Sequence, residues 1–269
     1  MGYCVIKIGG RVVSEDLDSV ASDIQQLVGN GWKPIIVHGG GRIVDTIMGR
    51  LGIKPRYLRH PSGFRSRYTG REELEVYVMV MSGLIAKKIQ ISLAEKGVAS
   101  LSLTGLDSGI IKARRKDRVV IINEKGRMQV VDGGYTGRIT NVDSDMIKRI
   151  LSRVDALILS PIAFSPTGEE GSPTPLNVDA DQMAYKIAAA IKAPLVMVTD
   201  VPGVIVDGEV LKRVRVEDAP KVLESVGEGM NRKLEMARRA VSEGAPIAVI
   251  GSKPIPELLR GGRGTVVTQ

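Results

Sequence analysis

Two glycine-rich turns have the composition of anion-binding sites. They are IKIGGR at residues 6–11 and VHGGGR at residues 37–42, and each lies between a strand-like run and a helix-like run. Glycines there let backbone N–H groups close on an anion, and the N-terminus of the following helix favours negative charge. Neither turn matches G-x-x-x-x-G-K followed by Ser or Thr, nor G-x-G-x-x-G, so each alone also fits a tight corner. Two in one chain favour a phosphate site.

Two lysines lie next to such turns. Lys7 ends the first apolar run, where burial without a partner would be costly. Ligands collect at the strand ends of open α/β sheets, so an anion is its favoured partner. Lys233 lies in GMNRKLEMARRA, at the first turn of a helix-like run beside Gly227 and Gly229. A lysine at that position usually faces solvent, so Lys233 alone does not indicate a site.

Acidic and amide side chains cluster in two further stretches. The stretch LNVDADQMA contains Asn177, Asp179 and Asp181. Either aspartate is suited to capping the following helix, or one orients a catalytic lysine while Asn177 binds a ligand. TDVPG follows another apolar run, and its Thr199 and Asp200 either contact ribose or adenine or belong to a plain Pro-Gly turn. Both interpretations stay open on these residues alone.

Positive charge is concentrated in one part of the chain. The formal net charge is +8, and residues 46–71 contain no acidic residue. We call residues 46–71 the basic strip; its charges are Arg50, Lys54, Arg56, Arg59, Arg65, Arg67 and Arg71. Concentrated charge attracts acidic partners and raises their association rates. A second basic cluster, at residues 112–118, is predicted to be a solvated face.

Composition limits the class of protein. The chain has 269 residues, is 43% apolar and has no run of 18 apolar residues, so we expect no membrane span. It begins MGYCVIKIGG without a charged-then-apolar leader, and its lone Cys4 suits a reducing cytosol. We therefore expect a cytoplasmic protein. One Trp, six Tyr and two Phe are too few to suggest stacking platforms for a nucleic acid.

The apolar pattern predicts an α/β fold. Short Val- and Ile-rich runs alternate with amphipathic runs, as in a mainly parallel sheet covered by helices. Residues 71–96 predict a long helix, with Met79 and Met81 in packing. Residues 110–140 predict short antiparallel strands. The last elements are predicted to be helices at 216–225 and 230–243 and a closing strand, PIAVIG. We predict one compact α/β unit with two lobes.

Taken together, five motifs resemble those of the amino acid kinase family. VIKIGG, VHGGG, NVDADQ, TDVPGV and GMNRKLEMARRA occur in the order and spacing of its acetylglutamate kinases, over almost the full length. The resemblance implies a three-layer αβα sandwich with a mainly parallel sheet. It also implies an acceptor-binding lobe at 1–175, an ATP-binding lobe at 176–269 and a homodimer, the usual arrangement in the family.

The resemblance carries roles over by position. Lys7 and Lys233 match lysines that stabilise the transferring phosphoryl group, and Asp181 matches the aspartate that orients them. The ATP-binding positions are Lys7, Gly9, Gly10, Thr199, Asp200, Val204 and Lys233. The acceptor-binding positions are Gly40, Gly41, Arg67 and Asn177. Mg²⁺ is expected on the ATP phosphates and not in a protein metal site. No general base is expected, because a carboxylate acceptor with a pKa of about 4.3 is already ionised at pH 7.

The stretch PSGFRSRYTG departs from ordinary acetylglutamate kinases. It is longer than the matching stretch and adds Arg65. In this it resembles the LysZ kinases of the family, which phosphorylate 2-aminoadipate or glutamate attached to LysW, a small acidic amino-group carrier protein of lysine and arginine biosynthesis. The resemblance implies that Arg67 holds the α-carboxylate of the substrate. Arg59, Arg65 and Arg71 would dock the carrier.

Two alternatives remain at this stage. The acceptor is free N-acetylglutamate, or the chain is a basic regulatory or nucleic-acid-binding protein that kept the fold and lost catalysis. The presence of Lys7, Asp181 and Lys233 argues against the second alternative.

Overall fold

A computed structural model of the chain describes residues 2–61, 63, 65–168 and 171–269, with the backbone alone for Glu228. Its strands are β1 (Gly2–Ile8), β2 (Trp32–His38), β3 (Tyr57–Arg59), β4 (Arg65–Arg67), β5 (Ser100–Leu103), β6 (Ile111–Arg115), β7 (Arg118–Ile122), β8 (Met128–Asp132), β9 (Gly137–Val142), β10 (Ala156–Leu159), β11 (Ile162–Ser165), β12 (Thr174–Asn177), β13 (Leu195–Val198), β14 (Ile205–Val206), β15 (Glu209–Val210), β16 (Arg213–Arg215), β17 (Ala248–Gly251) and β18 (Thr265–Thr268).

The helices lie mostly between these strands. They are α1 (Gly10–Glu15), α2 (Leu17–Gly29), α3 (Gly41–Arg50), α4 (Arg71–Val78), α5 (Ala86–Glu95), α6 (Ser144–Leu151), α7 (Ala180–Ile191), α8 (Ala219–Ser225), α9 (Glu228–Ser242) and α10 (Ile255–Leu259). A π-helical segment, Met79–Ile85, joins α4 to α5, so the predicted long helix is continuous from Arg71 to Glu95.

The central sheet has eight strands in the order β16-β18-β17-β13-β1-β2-β10-β5. Every neighbouring pair is parallel except β17 and β18. Side chains alternate between the two faces along β1. Val5 packs in a core cluster with side chains of α6, α7 and α9. Cys4, Ile6 and Ile8 pack in another with α2, α3, α5 and α10. Helices therefore cover both faces of the sheet, and the predicted three-layer sandwich is confirmed. Lys7 is two residues after Val5 and points to the same face of the sheet as Val5.

The remaining strands form smaller sheets. The predicted antiparallel strands are present, although β6 and β9 join β11 and β12 in a four-stranded sheet while β7 and β8 form a separate hairpin. The proposed boundary between lobes, after residue 175, lies inside β12. The division into two lobes therefore stays a prediction.

Two sequence-based assignments were wrong. PIAVIG is not the last element, because α10 and β18 follow it and β18 is inserted between β16 and β17. The short TVVT run after a Gly- and Arg-rich turn is a weak strand signal on its own, and pairing with two neighbours stabilises it. Met79 does not pack in the core: it is 57% exposed, whereas Met81 is buried.

The helix from Arg71 to Glu95 is long and apolar enough to cross a membrane by length and composition. It is the one such helix among the described residues, and half of its most apolar window is buried inside the protein. Val80, Ile85 and Ile89 are among its core side chains. The expectation that the chain has no membrane partner stays a prediction.

We predict that His38 makes the fold sensitive to acid. Its ring is fully buried, with Nε2 3.0 Å from Ser160 Oγ, and burial lowers its pKa from 6.5 to about 4. Because the unfolded chain then binds the proton more readily, stability is lost as the pH falls from about 6.5 towards 4. Between pH 7 and pH 5 this amounts to roughly 2 kcal/mol. In urea titrations His38→Gln should show a correspondingly smaller loss; an unchanged loss would assign the effect to other groups.

Candidate active site

A cavity of about 450 Å³ lies at the carboxyl ends of β1, β2 and β13. Its lining combines four cations, two carboxylates and two glycine-rich turns. The lining residues are Lys7, Gly9, Gly10, Arg11, Val12, Gly41, Arg42, Asp45, Tyr57, Val198, Thr199, Asp200 and Lys233. Six of these are predicted nucleotide-binding positions, and Gly41 is a predicted acceptor-binding position. The sheet thus brings residues from both ends of the chain to one place.

Lys7 and Asp181 form a buried ion pair beside the cavity. Lys7 Nζ lies 2.7 Å from Asp181 Oδ1, and both side chains are about one-tenth exposed. Burial disfavours the Lys7 ammonium, but the charge and the hydrogen bond of Asp181, together with the charge of Asp179, outweigh it and raise the pKa of Lys7. Burial likewise works against the Asp181 carboxylate, whose pKa is lowered because Lys7 and Lys233 offset it. Both groups are therefore charged at neutral pH.

Lys233 reaches the same cavity from α9. Burial and the nearby charge of Lys7 lower the pKa of Lys233, although Asp181 and Asp200 partly offset them. Lys233 Nζ donates to Gly229 O at 3.4 Å, which is long for a hydrogen bond. This contact does not hold the ammonium group tightly, which suits a group that would bind an anion.

The two glycine-rich turns pack against each other. Gly39 N–H donates to Ile8 O at 2.8 Å. A Cβ on Gly10 would lie 3.1 Å from Gly40 N, and one on Gly39 would lie 3.1 Å from Gly10 N. A Cβ on Gly9 would meet no protein atom within 4 Å. Packing therefore explains glycine at positions 10 and 39, whereas Gly9 borders open space in the cavity.

This difference predicts that substitutions at the two neighbouring positions affect different properties: stability at Gly10 and ATP binding at Gly9. Gly10→Ala should lower the free energy of unfolding by about 1–2 kcal/mol, because its methyl group overpacks the backbone of Gly40. Gly9→Ala should leave stability nearly unchanged, since its φ of −73° suits alanine, and should raise the KM for ATP. Urea unfolding and ATP titrations of both variants check this. An equal loss of stability in both variants, or an unchanged KM for ATP in Gly9→Ala, would contradict it.

Arg67 lies at the other side of the cavity, held by residues that line it. Arg67 Nη1 donates to Asp45 Oδ1 at 2.5 Å, and Nη2 donates to Gly41 O at 2.9 Å and to the Tyr57 hydroxyl at 3.0 Å. Tyr57 and Arg67 are directly paired in the β3–β4 hairpin. Arg59 and Arg65 are paired in the same hairpin and are exposed, as is Arg71 at the start of α4.

Three other predicted positions lie outside the cavity lining. Gly40 lies behind it, where a Cβ would clash with Ile85 Cδ1 at 2.2 Å. Asn177 Nδ2 donates to Thr69 Oγ1 at 2.9 Å. Val204 is fully buried, with its N–H donating to Thr265 Oγ1 and its carbonyl accepting from Leu211. The structure gives Val204 no free backbone group, and its place in the nucleotide-binding segment stays a prediction.

Sequence reasoning missed four polar residues of this region. Arg11 forms an ion pair with Asp200 across the cavity, and Arg232 Nη2 lies 3.2 Å from Asp179 Oδ1. Asp45 and Tyr57 hold Arg67. Asp45 lies one helical turn after Gly41, and that spacing is a signal that it faces the same side of α3 as the glycine-rich turn. Asp179 caps α7 by accepting from Gln182 N–H, so its capping interpretation is confirmed.

Two curated proteins are similar to this chain over nearly their full lengths. A provisionally named LysW-aminoadipate/LysW-glutamate kinase of Aeropyrum pernix is 52% identical over 268 residues, covering 100% of this chain and 98% of that protein. The LysW-aminoadipate/LysW-glutamate kinase of Metallosphaera sedula is 43% identical, covering 98% and 99%.

Solved structures show the same fold at lower identity. The protein smu.665 of Streptococcus mutans matches with a TM-score of 0.79 at 24% identity, covering 99% of this chain and 98% of that one. The N-acetylglutamate synthase of Neisseria gonorrhoeae matches with a TM-score of 0.80 at 20% identity, covering all of this chain and 59% of that one. The family model described as "Amino acid kinase family" matches residues 2–251. The chain therefore belongs to the amino acid kinase family.

Proposed function

We propose that this protein transfers the γ-phosphoryl group of ATP to the side-chain carboxylate of 2-aminoadipate or glutamate carried on LysW. The observation that carries the proposal is the meeting of Lys7 and Lys233 at one cavity, between the Gly9–Gly10 turn and the groups that hold Arg67. The names of the relatives from Aeropyrum pernix and Metallosphaera sedula support this acceptor. The product would be an acyl phosphate in lysine or arginine biosynthesis.

The two lysines supply what phosphoryl transfer needs most. The transferring group spreads negative charge over its oxygens, so fixed positive charge and positioning account for most of the catalysis. Lys7 lies on the central strand β1 and is held by Asp181. Lys233 is more loosely held and can follow the phosphoryl group during transfer. Asp181 also keeps Lys7 charged despite its burial. Gly9 offers backbone donors next to open space.

The acceptor carboxylate needs no base because it is already ionised at neutral pH. The α-carboxylate of the same amino acid would be bound by Arg67, whose guanidinium can pair with a carboxylate through two parallel hydrogen bonds. Asn177, fixed by Thr69, would add an amide contact near the same end. Thr199 and Asp200 would contact the nucleotide across the cavity.

Mg²⁺ is proposed to arrive on the ATP phosphates. Among the described residues, no three His, Cys, Asp or Glu side chains lie close enough together to hold a metal ion. Asp181 is committed to Lys7, and Asp200 is paired with Arg11. These residues do not build a protein-held magnesium site, so the proposal assigns the ion's contribution, neutralisation of phosphate charge, to the nucleotide complex.

The β3–β4 hairpin is suited to docking an acidic carrier. Arg59 and Arg65 face each other in register, and like charges in that position are unfavourable without an anionic partner. Arg65 stacks on Tyr57 with its guanidinium carbon 4.0 Å from the ring centroid. The carrier would thus bind beside Arg67 and deliver the attached amino acid to the cavity. Arg71 would extend the contact.

A homodimer and a cytoplasmic location complete the proposal. Met79, Leu84 and Ile91 on the helix from Arg71 to Glu95 are exposed, as is Leu101 on the edge strand β5. The α5 part of this helix packs against β5, and exposed apolar side chains on adjoining elements are typical of an interface. A second copy of the chain would cover them, and the mass in solution checks this.

Competing acceptors test the proposed function directly. Wild-type protein is incubated with ATP and Mg²⁺ and with either LysW-linked 2-aminoadipate, LysW-linked glutamate or free N-acetylglutamate, and acyl phosphate is trapped with hydroxylamine. We expect turnover of a carrier-linked acid and at most weak turnover of the free acid. Strong turnover of free N-acetylglutamate with none of the carrier-linked acids would favour the alternative function. If none of the three acids gives acyl phosphate, the result would favour the alternative that the chain kept the fold and lost catalysis.

A further inference from the structure

Both terminal nitrogens of the Arg67 guanidinium donate to acceptors inside the protein. Its Nη1 donates to Asp45 Oδ1 and to Met48 Sδ, at 2.5 and 3.6 Å. Its Nη2 donates to Gly41 O and to the Tyr57 hydroxyl, at 2.9 and 3.0 Å. The two nitrogens carry four hydrogens. Each hydrogen therefore has an acceptor inside the protein, and the Arg67 side chain is only 8% exposed.

A substrate carboxylate cannot form a bidentate pair with Arg67 unless an internal partner leaves. Gly41 O belongs to the backbone of α3 and is fixed, whereas the Met48 contact is weak. The remaining partner of the same chemistry as the substrate is the Asp45 carboxylate. Asp45 lines the cavity, and its side chain is 30% exposed, so it has room to turn away.

We infer that Asp45 is an internal carboxylate that pairs with Arg67 and is displaced by the α-carboxylate of the acceptor. Asp45 is thus a positioning residue that sets acceptor affinity through Arg67. This inference rests on the proposed function, because it takes the acceptor to be an amino acid with a free α-carboxylate. Displacement also removes the repulsion that two neighbouring carboxylates would otherwise feel.

Tyr57 holds this internal carboxylate in place. Its hydroxyl donates to Asp45 Oδ2 at 2.5 Å and accepts from Arg67 Nη2, so it bridges the two charged groups. Arg67 also lies over the Tyr57 ring, with its guanidinium carbon 5.1 Å from the centroid. The hydroxyl therefore stabilises the Arg67–Asp45 pair, and its loss should make it easier for the α-carboxylate of the acceptor to replace Asp45 on Arg67.

Asp45→Asn tests the inference through the KM of the acceptor. Affinity is reduced by the fraction of molecules in which Arg67 is occupied, so weakening Asp45 should lower the KM for LysW-linked 2-aminoadipate about three- to tenfold. Tyr57→Phe should act in the same direction by a smaller factor. Titration calorimetry without nucleotide should show the same tightening. If Asp45 instead supports Arg67 permanently, both variants will raise the KM, and that result would overturn the inference.

Two controls make the result specific. Asp18→Asn removes a carboxylate from an ion pair with Lys96, neither of which lines the cavity, and should leave the KM unchanged. In an Arg67→Ala background, Asp45→Asn should no longer tighten binding, because Asp45 acts through Arg67. Tightening that persists there would mean simple charge repulsion and would refute the exchange. Failure of the wild type to turn over the carrier-linked acid would refute the proposed function instead, so the two failures are distinguishable.

Discussion

Lys233→Ala is expected to lower kcat for acyl phosphate formation by about 10²–10³-fold while the protein stays folded. The loss is large because Lys233 would supply one of the two positive charges on the transferring phosphoryl group. The fold should tolerate the change, because the hydrogen bond that it removes, from Lys233 Nζ to Gly229 O, is long at 3.4 Å. Burial lowers the pKa of Lys233, so removal of the ammonium also relieves a desolvation cost.

Hydroxylamine trapping and urea unfolding measure the two sides of this prediction. Lys221→Ala, which removes an exposed lysine from α8 on the same side of the sheet, is the matched control and should retain full activity. Full turnover by Lys233→Ala would show that the second catalytic lysine is assigned wrongly. A large loss of stability would show instead that Lys233 is structural.

Asp181→Asn is expected to damage both stability and catalysis. It leaves the buried Lys7 ammonium without its carboxylate, and breaking a buried ion pair in this way costs about 3–5 kcal/mol. The pKa of Lys7 is raised by Asp181 against the effect of burial, so without Asp181 burial prevails and that pKa falls. The alkaline limb of the pH–rate profile should therefore move to lower pH, because Lys7 loses its proton earlier.

Asp155→Asn provides the comparison for Asp181→Asn. Asp155 pairs with Lys33 at the opposite end of the sheet, where Lys33 Nζ lies 3.3 Å from Asp155 Oδ1. That variant should lose some stability but should keep the wild-type pH–rate profile. A profile that stays unchanged in Asp181→Asn would contradict the role of Asp181 in keeping Lys7 charged.

Local sequence patterns predicted the parts of the site that depend on single elements. The position of Lys7 at the end of an apolar run and the glycines after β1 and β2 predicted an anion site at the strand ends, where Lys7 lies. The helix signal after Asp179 indicated a cap, which Asp179 provides. These features depend on the periods of strands and helices and on local hydrogen bonds, which the sequence records directly.

Contacts between distant elements were not visible in the same way. Asp45 meets Arg67 only because the β3–β4 hairpin folds back over α3, and no local pattern records that placement. The exposure of Met79 depends on the face of the helix that turns away from the core, and the π-helical segment shifts the register of that face. The insertion of β18 between β16 and β17 likewise depends on pairing across the chain.

A structure of the protein with LysW-linked 2-aminoadipate, ADP and aluminium fluoride would show whether Lys7 and Lys233 meet at the transferring group. We expect the fluoride group to lie in line between the nucleotide and the side-chain carboxylate of the acceptor, with Lys7 Nζ and Lys233 Nζ both within hydrogen-bond distance of it. Arg67 should hold the α-carboxylate. A complex in which either lysine points away from the fluoride group would contradict the proposed mechanism.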